Sequence, residues 1–177
     1  MAIRWALILG PLALGALVSG AAHAQDTNDR VAAKTDWSVF VADNPTECWI
    51  VSAPKGVVNT KAGKIVAVTR GDTRLFVSFR PGANVTGEVS FTGGYPFKEG
   101  TTVNLKIGSA SYELFVDGEY AWPASEGEDA KITTSMKRGS SAVVTGLSSR
   151  GTTTEDTFSL LGFTDALEDA EKRCSAQ

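Results

Sequence analysis

The chain reads as a mainly β protein, a single antiparallel β-sandwich or open barrel of about nine strands with two short helices. From residue 37 onward, short runs rich in Val, Ile, Phe, Thr and Tyr recur between turn residues. Several runs alternate, as in "YELFVD", where Tyr112, Leu114 and Val116 share one face and Glu113, Phe115 and Asp117 the other. Such alternation buries one face of an antiparallel sheet and wets the other. Only two stretches carry helical spacing.

The chain opens "MAIRWALILGPLALGALVSGAAHA", with Arg4 followed by a long apolar run that ends in Ala22-His23-Ala24. A basic start, an apolar centre and a small-x-small end make a secretory signal peptide over residues 1–24, with cleavage expected after Ala24. The alternative, a retained anchor, sits poorly with Pro11 and the glycines inside the run. No cysteine follows the expected cut, and no later apolar run is long enough to span a membrane. The mature protein is therefore expected in the periplasm or outside the cell. Residues 25–35 are polar and unpatterned and are expected to be a flexible leader. Residues 36–177 are expected to be one β-rich domain.

Strands are expected at 37–42 and 47–51, followed by a polar loop, "SAPKGVVNTKAGK". "IVAVTR" and "RLFVSFR" flank Gly71-Asp72-Thr73 and predict a hairpin. "GEVSF" precedes the turn-rich "TGGYPFKEG". "TVNLKI" and "SYELFVDG" predict a second hairpin, and "SAVVTGL" and "TEDTFSLL" a third. A first helix is expected over 126–137, with Ser125 as N-cap, Glu126, Glu128 and Asp129 at its positive end, and Gly139 closing it. Ile132 and Met136 give it an apolar side. A second is expected over 162–174, where Phe163, Leu167, Ala170 and Cys174 form one stripe. Glu168–Lys172 and Asp169–Arg173 are i,i+4 pairs on its wet side.

Loss of Arg4 with the leader leaves 16 basic residues against 20 acidic ones, a net charge of −4. With no basic cluster, nucleic acid and anionic membrane surfaces are not expected partners. The single histidine, His23, leaves with the leader. Ser-His-Asp and Cys-His catalysis are thereby excluded, as is the commonest transition-metal ligand. No metal and no cofactor are expected.

The chain has two cysteines, Cys48 and Cys174. In an exported protein they are expected to pair, closing a loop of about 127 residues worth roughly 5 kcal/mol in the chain-entropy model. Free thiols and pairing between chains are the alternatives.

Other motifs have simpler readings. Ser52 to Lys55 fits S-x-x-K, but Pro54 lies inside it and no K-T-G or S-D-N follows, so a chance loop match is preferred. Arg70-Gly71-Asp72 matches an integrin-binding tripeptide and also suits a hairpin corner. Asn84-Val85-Thr86 is a glycosylation sequon, relevant only in a eukaryotic secretory pathway. The acidic groups at 126–129, at 155–156 and on the last helix suit a helix start, a strand near a turn and solvent-facing ion pairs better than acid–base catalysis. Two aromatic loops stand out, "GGYPF" at 93–97 and "DGEYAWPASEGED" at 117–129. Aromatic loops can anchor a partner or stack on a sugar, so Tyr95, Phe97, Tyr120 and Trp122 are the candidate binding surface. Packing of Trp122 onto the first helix is the simpler alternative. Trp37 and Trp49 lie in strands and are expected in the core.

Taken in order, "DWSVFV", "ECWIVSAP", "LFVSFRPG", "TVNLKIGSASYELFVDG", a short helix, "SAVVTGL" and "TFSLLGFTDAL" resemble the invasion-associated locus B family of exported bacterial proteins, over roughly residues 36–170. The F-R-P-G turn and the closing Ser159–Leu167 stretch are the most telling pieces. The resemblance implies a β-rich periplasmic or envelope-associated protein without enzymatic activity or cofactor, linked in some pathogens to invasion of host cells. Relatives also carry a cysteine in the first strand and a cysteine pair after the late strand, where this chain has Phe40 or Val41 and the 120–124 region. Cys48 matches a family cysteine. The first functional expectation is a non-enzymatic envelope protein that binds a macromolecule of the envelope or host surface. A small-ligand or glycan-binding module is second, and a carboxylate-dependent hydrolase third.

Overall fold

The structure, a computed structural model, describes residues 30–43 and 46–175. The expected signal peptide, its cleavage site, His23 and residues 25–29 lie outside the described residues.

The described residues form one antiparallel sheet with two α-helices. Its strands are β1 (Arg30–Lys34), β2 (Trp37–Ala42), β3 (Glu47–Ser52), β4 (Gly56–Lys61), β5 (Lys64–Ile65), β6 (Arg74–Arg80), β7 (Val85–Thr92), β8 (Thr102–Ile107), β9 (Ala110–Asp117), β10 (Tyr120–Trp122), β11 (Ser141–Leu147) and β12 (Thr153–Ser159). The helices are α1 (Glu126–Arg138) and α2 (Phe163–Ser175). The order across the sheet is β1-β2-β3-β6-β7-β10-β9-β8-β11-β12-β4-β5.

The mainly β class holds, with twelve strands among the described residues in place of about nine. Residues 30–34, expected in a flexible leader, form β1 along β2. The polar stretch after β3, expected as a loop, contributes β4, which pairs with β12. Residues 120–122, also expected in a loop, form β10 between β7 and β9. The expected hairpin around Gly71-Asp72-Thr73 is absent. Only Ile65 of "IVAVTR" lies in a strand, and residues 66–73 run without regular structure to β6.

The sheet folds back on itself, so that its two halves share an inner face. Phe91 of β7 meets Phe158 of β12 edge to face at 6.1 Å, although these strands stand five places apart in the order. The indole Nε1 of Trp37 donates to the Ser159 carbonyl at 3.0 Å. The inward residues of β2, β3 and β6 meet α2, whose Phe163, Ala166, Leu167, Ala170 and Cys174 are buried. Trp37 packs edge to face on Phe163 at 5.0 Å. The start of α2 allows only glycine before it. Gly162 has φ +85°, and a Cβ there would sit 2.0 Å from the Lys34 carbonyl oxygen. The Ser125 hydroxyl caps α1 by accepting from the Glu128 N–H.

Cys48 and Cys174 form a disulfide with Cα atoms 5.8 Å apart. It fastens the last turn of α2 to β3 beneath the inner face. Of the two expected pairs on α2, Asp169–Arg173 forms at 2.8 Å, and Asp169 also reaches Lys34 on β1 at 3.3 Å. Burial pushes the Asp169 carboxyl up, but Arg173 and Lys34 together hold it below the ordinary value.

Replacing both cysteines by serine is expected to lower unfolding free energy by about 2–5 kcal/mol in urea titrations, with reductant reproducing the loss in the native chain only. An unchanged midpoint would mean that the bridge constrains nothing. Gly162→Ala is expected to cost about 3 kcal/mol through the clash with Lys34, read as a lowered melting temperature.

Candidate functional site

Because α1, α2 and the other half of the sheet fill the inner face, every second residue of β2, β3, β6, β7, β10 and β9 points outward. Many of these residues are aromatic. Phe40 and Trp49 face each other across β2 and β3, their rings parallel within 5° and 5.3 Å apart. Trp49 stands opposite Ser78, and Phe76 lies between Val51 and Ser90. On β10, Tyr120 sits opposite Thr92 and stacks on Trp122 at 5.7 Å. Trp122 pairs with Phe115 of β9, which is 54% exposed. The outward residues of β8, β11 and β12 are instead mostly polar, with Asn104, Lys106, Thr145 and Glu155 around one shallow hollow.

The aromatic band forms two adjoining hollows. One, of about 440 Å³, is lined by Phe40, Trp49, Phe76 and Tyr120 with Asp72, Arg74 and Glu119 at its rim. The other, of about 250 Å³, shares Trp49, Phe76 and Tyr120 and is bounded by Glu47 and Arg80.

The four candidates from the aromatic loops separate. Tyr120 and Trp122 belong to the outer band, with Tyr120 45% exposed. Phe97 is in the core at 4% exposure, against Phe91, and so presents no face to a partner. Tyr95 is half-buried, with its ring on Phe97 and its hydroxyl on Thr154 Oγ1 at 2.5 Å, and burial raises its pKa. The two loops do meet, since the Phe97 N–H donates to the Gly118 carbonyl at 2.9 Å. Trp37 is in the core as expected, but Trp49, also expected there, is half-buried in the outer band. Phe40, Trp49 and Phe76 were legible only once the inward register of their strands was fixed.

Arg70 has an architectural role. Its guanidinium grips the fully buried Asp156 carboxylate at 2.9 and 2.6 Å and also donates to Thr73 Oγ1, Asn59 Oδ1 and the Gly93 carbonyl. Burial raises the Asp156 carboxyl, and Arg70 opposes this. Arg70 also lies over the Tyr95 ring at 5.2 Å. Consequently the Arg70-Gly71-Asp72 tripeptide does not present its arginine to an integrin. Its glycine is spent as well, because Gly71 crosses Gly94 (φ +69°) so closely that a Cβ on Gly94 would lie 2.4 Å from the Gly71 carbonyl oxygen.

The remaining catalytic motifs resolve into structure. Ser52 is buried and donates to the Asp36 carbonyl at 2.8 Å, while Lys55 Nζ pairs with the Asp36 carboxylate at 2.5 Å. Glu128 pairs with Lys131 at 2.7 Å. Asp129 turns inward, and its Oδ1 accepts the Val89 N–H at 2.8 Å, docking α1 on β7. It lies with Glu88, Glu126 and Trp122 around a hollow of about 320 Å³. Glu88, however, is paired with Arg80 at 2.8 Å. Among the described residues, no group of three His, Cys, Asp or Glu side chains is placed to hold a metal.

Sequence comparison adds the family. The model of the invasion associated locus B protein family matches residues 37–171, most of the chain. The chain belongs to the invasion-associated locus B family. Its fold is similar to the crystal structure of invasion associated protein B from Bartonella henselae, with a TM-score of 0.53 and 14% identity over 82% of this chain and 95% of that one. At that identity the likeness is one of fold. No curated protein matches the chain. Among the described residues, no helix of this family member is long and apolar enough to cross a membrane.

Burial, and then the charges of Glu88 and Glu126, raise the Asp129 carboxyl, while the Val89 N–H lowers it. A raised folded-state pKa means that the native state holds this proton more tightly than the unfolded chain. Its contribution to stability therefore falls as pH rises from the unfolded value of 3.8 through the folded one. Asp129→Asn keeps the acceptor and is expected to fold normally without that fall. Asp129→Ala strands the Val89 N–H and is expected to cost about 1–3 kcal/mol in thermal melts. Equal loss in both variants would show that the charge itself matters.

Proposed function

We propose that this protein works outside the cytoplasm as a non-enzymatic binding protein, holding another macromolecule of the envelope or host surface against the aromatic outer face of β2, β3, β6 and β10. One observation carries the reading. The fold covers one side of this half-sheet with two helices and leaves on the other a band that includes Phe40, Trp49, Phe76, Tyr120, Trp122 and Phe115. Trp and Tyr are the residues enriched at binding hot spots, and a band of them on a soluble surface marks an interaction site. Export is supported by the leader-like start and by the disulfide, a bond that persists in oxidising compartments. Membership of the invasion-associated locus B family supports an envelope setting, with host-cell invasion or envelope maintenance as the process served.

Glycan binding is the second reading, favoured by the way Phe40, Trp49, Phe76 and Tyr120 line a hollow and do not form a flat plate. Hydrolysis has less support. Asp129, Asp156 and Glu128 are each engaged in holding the structure, and no two free carboxylates converge on a cleft among the described residues.

Capture from a cell-envelope extract tests the proposal. The native protein is expected to retain a partner that Trp49→Ala and Tyr120→Ala lose by about tenfold or more, while Lys106→Ala on the polar half keeps it. Retention by all three alike would place the interaction elsewhere.

A further inference from the structure

The charges around the aromatic band say what kind of partner it fits. On β6, Arg74 and Arg80 bracket Phe76 and Ser78. Arg74 Nη2 pairs with Asp72 Oδ2 at 3.3 Å, and Glu119 lines the same hollow. Arg80 Nη2 pairs with Glu88 Oε1 at 2.8 Å, and Glu47 bounds the hollow beside it. Each end thus holds one guanidinium against two carboxylates. Both arginines are already neutralised, and among the described residues neither Glu47 nor Glu119 takes part in an ion pair. The free charge at either end of the β6 stretch is negative, while Arg30, opposite Phe40 on β1, stands three strand places away from β6.

The rings between the ends reinforce that preference. The faces of Trp, Tyr and Phe attract guanidinium and ammonium groups, and nearby carboxylates strengthen the attraction. An anionic ligand would meet repulsion at both ends. A neutral one would leave both carboxylates unused. The six residue steps from Arg74 to Arg80 span about 20 Å of extended chain.

We propose that the outer face of β2, β3, β6 and β10 takes an extended, cationic segment of a partner protein, with basic side chains at Glu47 and Glu119 and a central portion over Trp49, Phe76 and Tyr120. This rests on the binding reading above and narrows it to a class of partner. The pairing gives specificity and rapid encounter through charge, and affinity through the rings.

The probe is a labelled synthetic peptide with two arginines about six residues apart in extended chain and apolar residues between them, beside a copy with glutamine for arginine. Fluorescence anisotropy on the full chain is expected to show binding of the arginine peptide only. Raising salt to about 0.5 M is expected to weaken it about tenfold by screening the end charges. Glu47→Gln with Glu119→Gln should remove most of the salt dependence, and Tyr120→Ala should weaken binding about tenfold at any salt. These positions are at the surface or half-exposed, so the variants are expected to fold.

Equal binding of both peptides, or no binding of either, would overturn the proposal. So would ring-dependent, salt-insensitive binding of neutral oligosaccharides, which would leave the face as the site and make the glycan reading correct. Envelope capture insensitive to Trp49 and Tyr120 would instead remove the face itself, and with it both readings.

Discussion

Everything in this structure follows from the two-sidedness of its strands. A strand sends successive side chains to opposite faces, so covering one face fixes what the other displays. Here α2 lies across β1, β2, β3 and β6 and is locked by Cys48–Cys174, by the Gly162 approach to Lys34, and by the edge-to-face contact of Phe163 with Trp37. With Trp37, Val39, Cys48, Ile50, Leu75 and Val77 committed inward, Phe40, Trp49 and Phe76 must point outward. The aromatic band is therefore tied to the core by register. A slip of one residue would bury the band and expose the core, and the disulfide at Cys48 forbids it.

The second constraint holds the two halves of the sheet together at their edge. A bidentate ion pair buried in a protein interior is costly to desolvate and costs more to break than to keep. Arg70 and Asp156 form such a pair and surround it with Thr73, Asn59 and the Gly93 carbonyl, so that the buried charges have partners. This explains why residues 66–73 are irregular despite their strand-like composition. The segment is drawn across to β12 by Arg70 and pinned against Gly94, leaving no partner strand for "IVAVTR". Asp72, just past the crossing, is left at the surface, 84% exposed at its side chain.

The sequence made legible the elements whose signals are local. The Ser125 cap, the acidic first turn and the Phe163–Cys174 stripe placed both helices within a residue at each end. The order of pieces also pointed to the family that the comparison found. What escaped depends on partners distant in the chain. "GVVNTK" is polar enough to read as loop and becomes a strand because β12 offers an unpaired edge. Tyr120-Ala121-Trp122 is too short to read as a strand alone, and β7 and β9 hold it from both sides. The site was legible in part. Tyr120 and Trp122 announced themselves as loop aromatics, whereas Trp49 and Phe76 are indistinguishable from core residues until one knows which face the helices cover. Phe97 shows the converse, an aromatic in a turn-rich stretch that plugs the core.

The most direct test is hydroxyl-radical footprinting of the side chains, in purified protein and in intact cells. The account predicts that Trp49, Phe76 and Tyr120 react readily in the purified protein and are protected in cells, while Trp37 and Phe163 stay unreactive in both. Equal reactivity of the outer band in the two settings, with protection at the exposed Val58 and Ile65 hairpin instead, would contradict it.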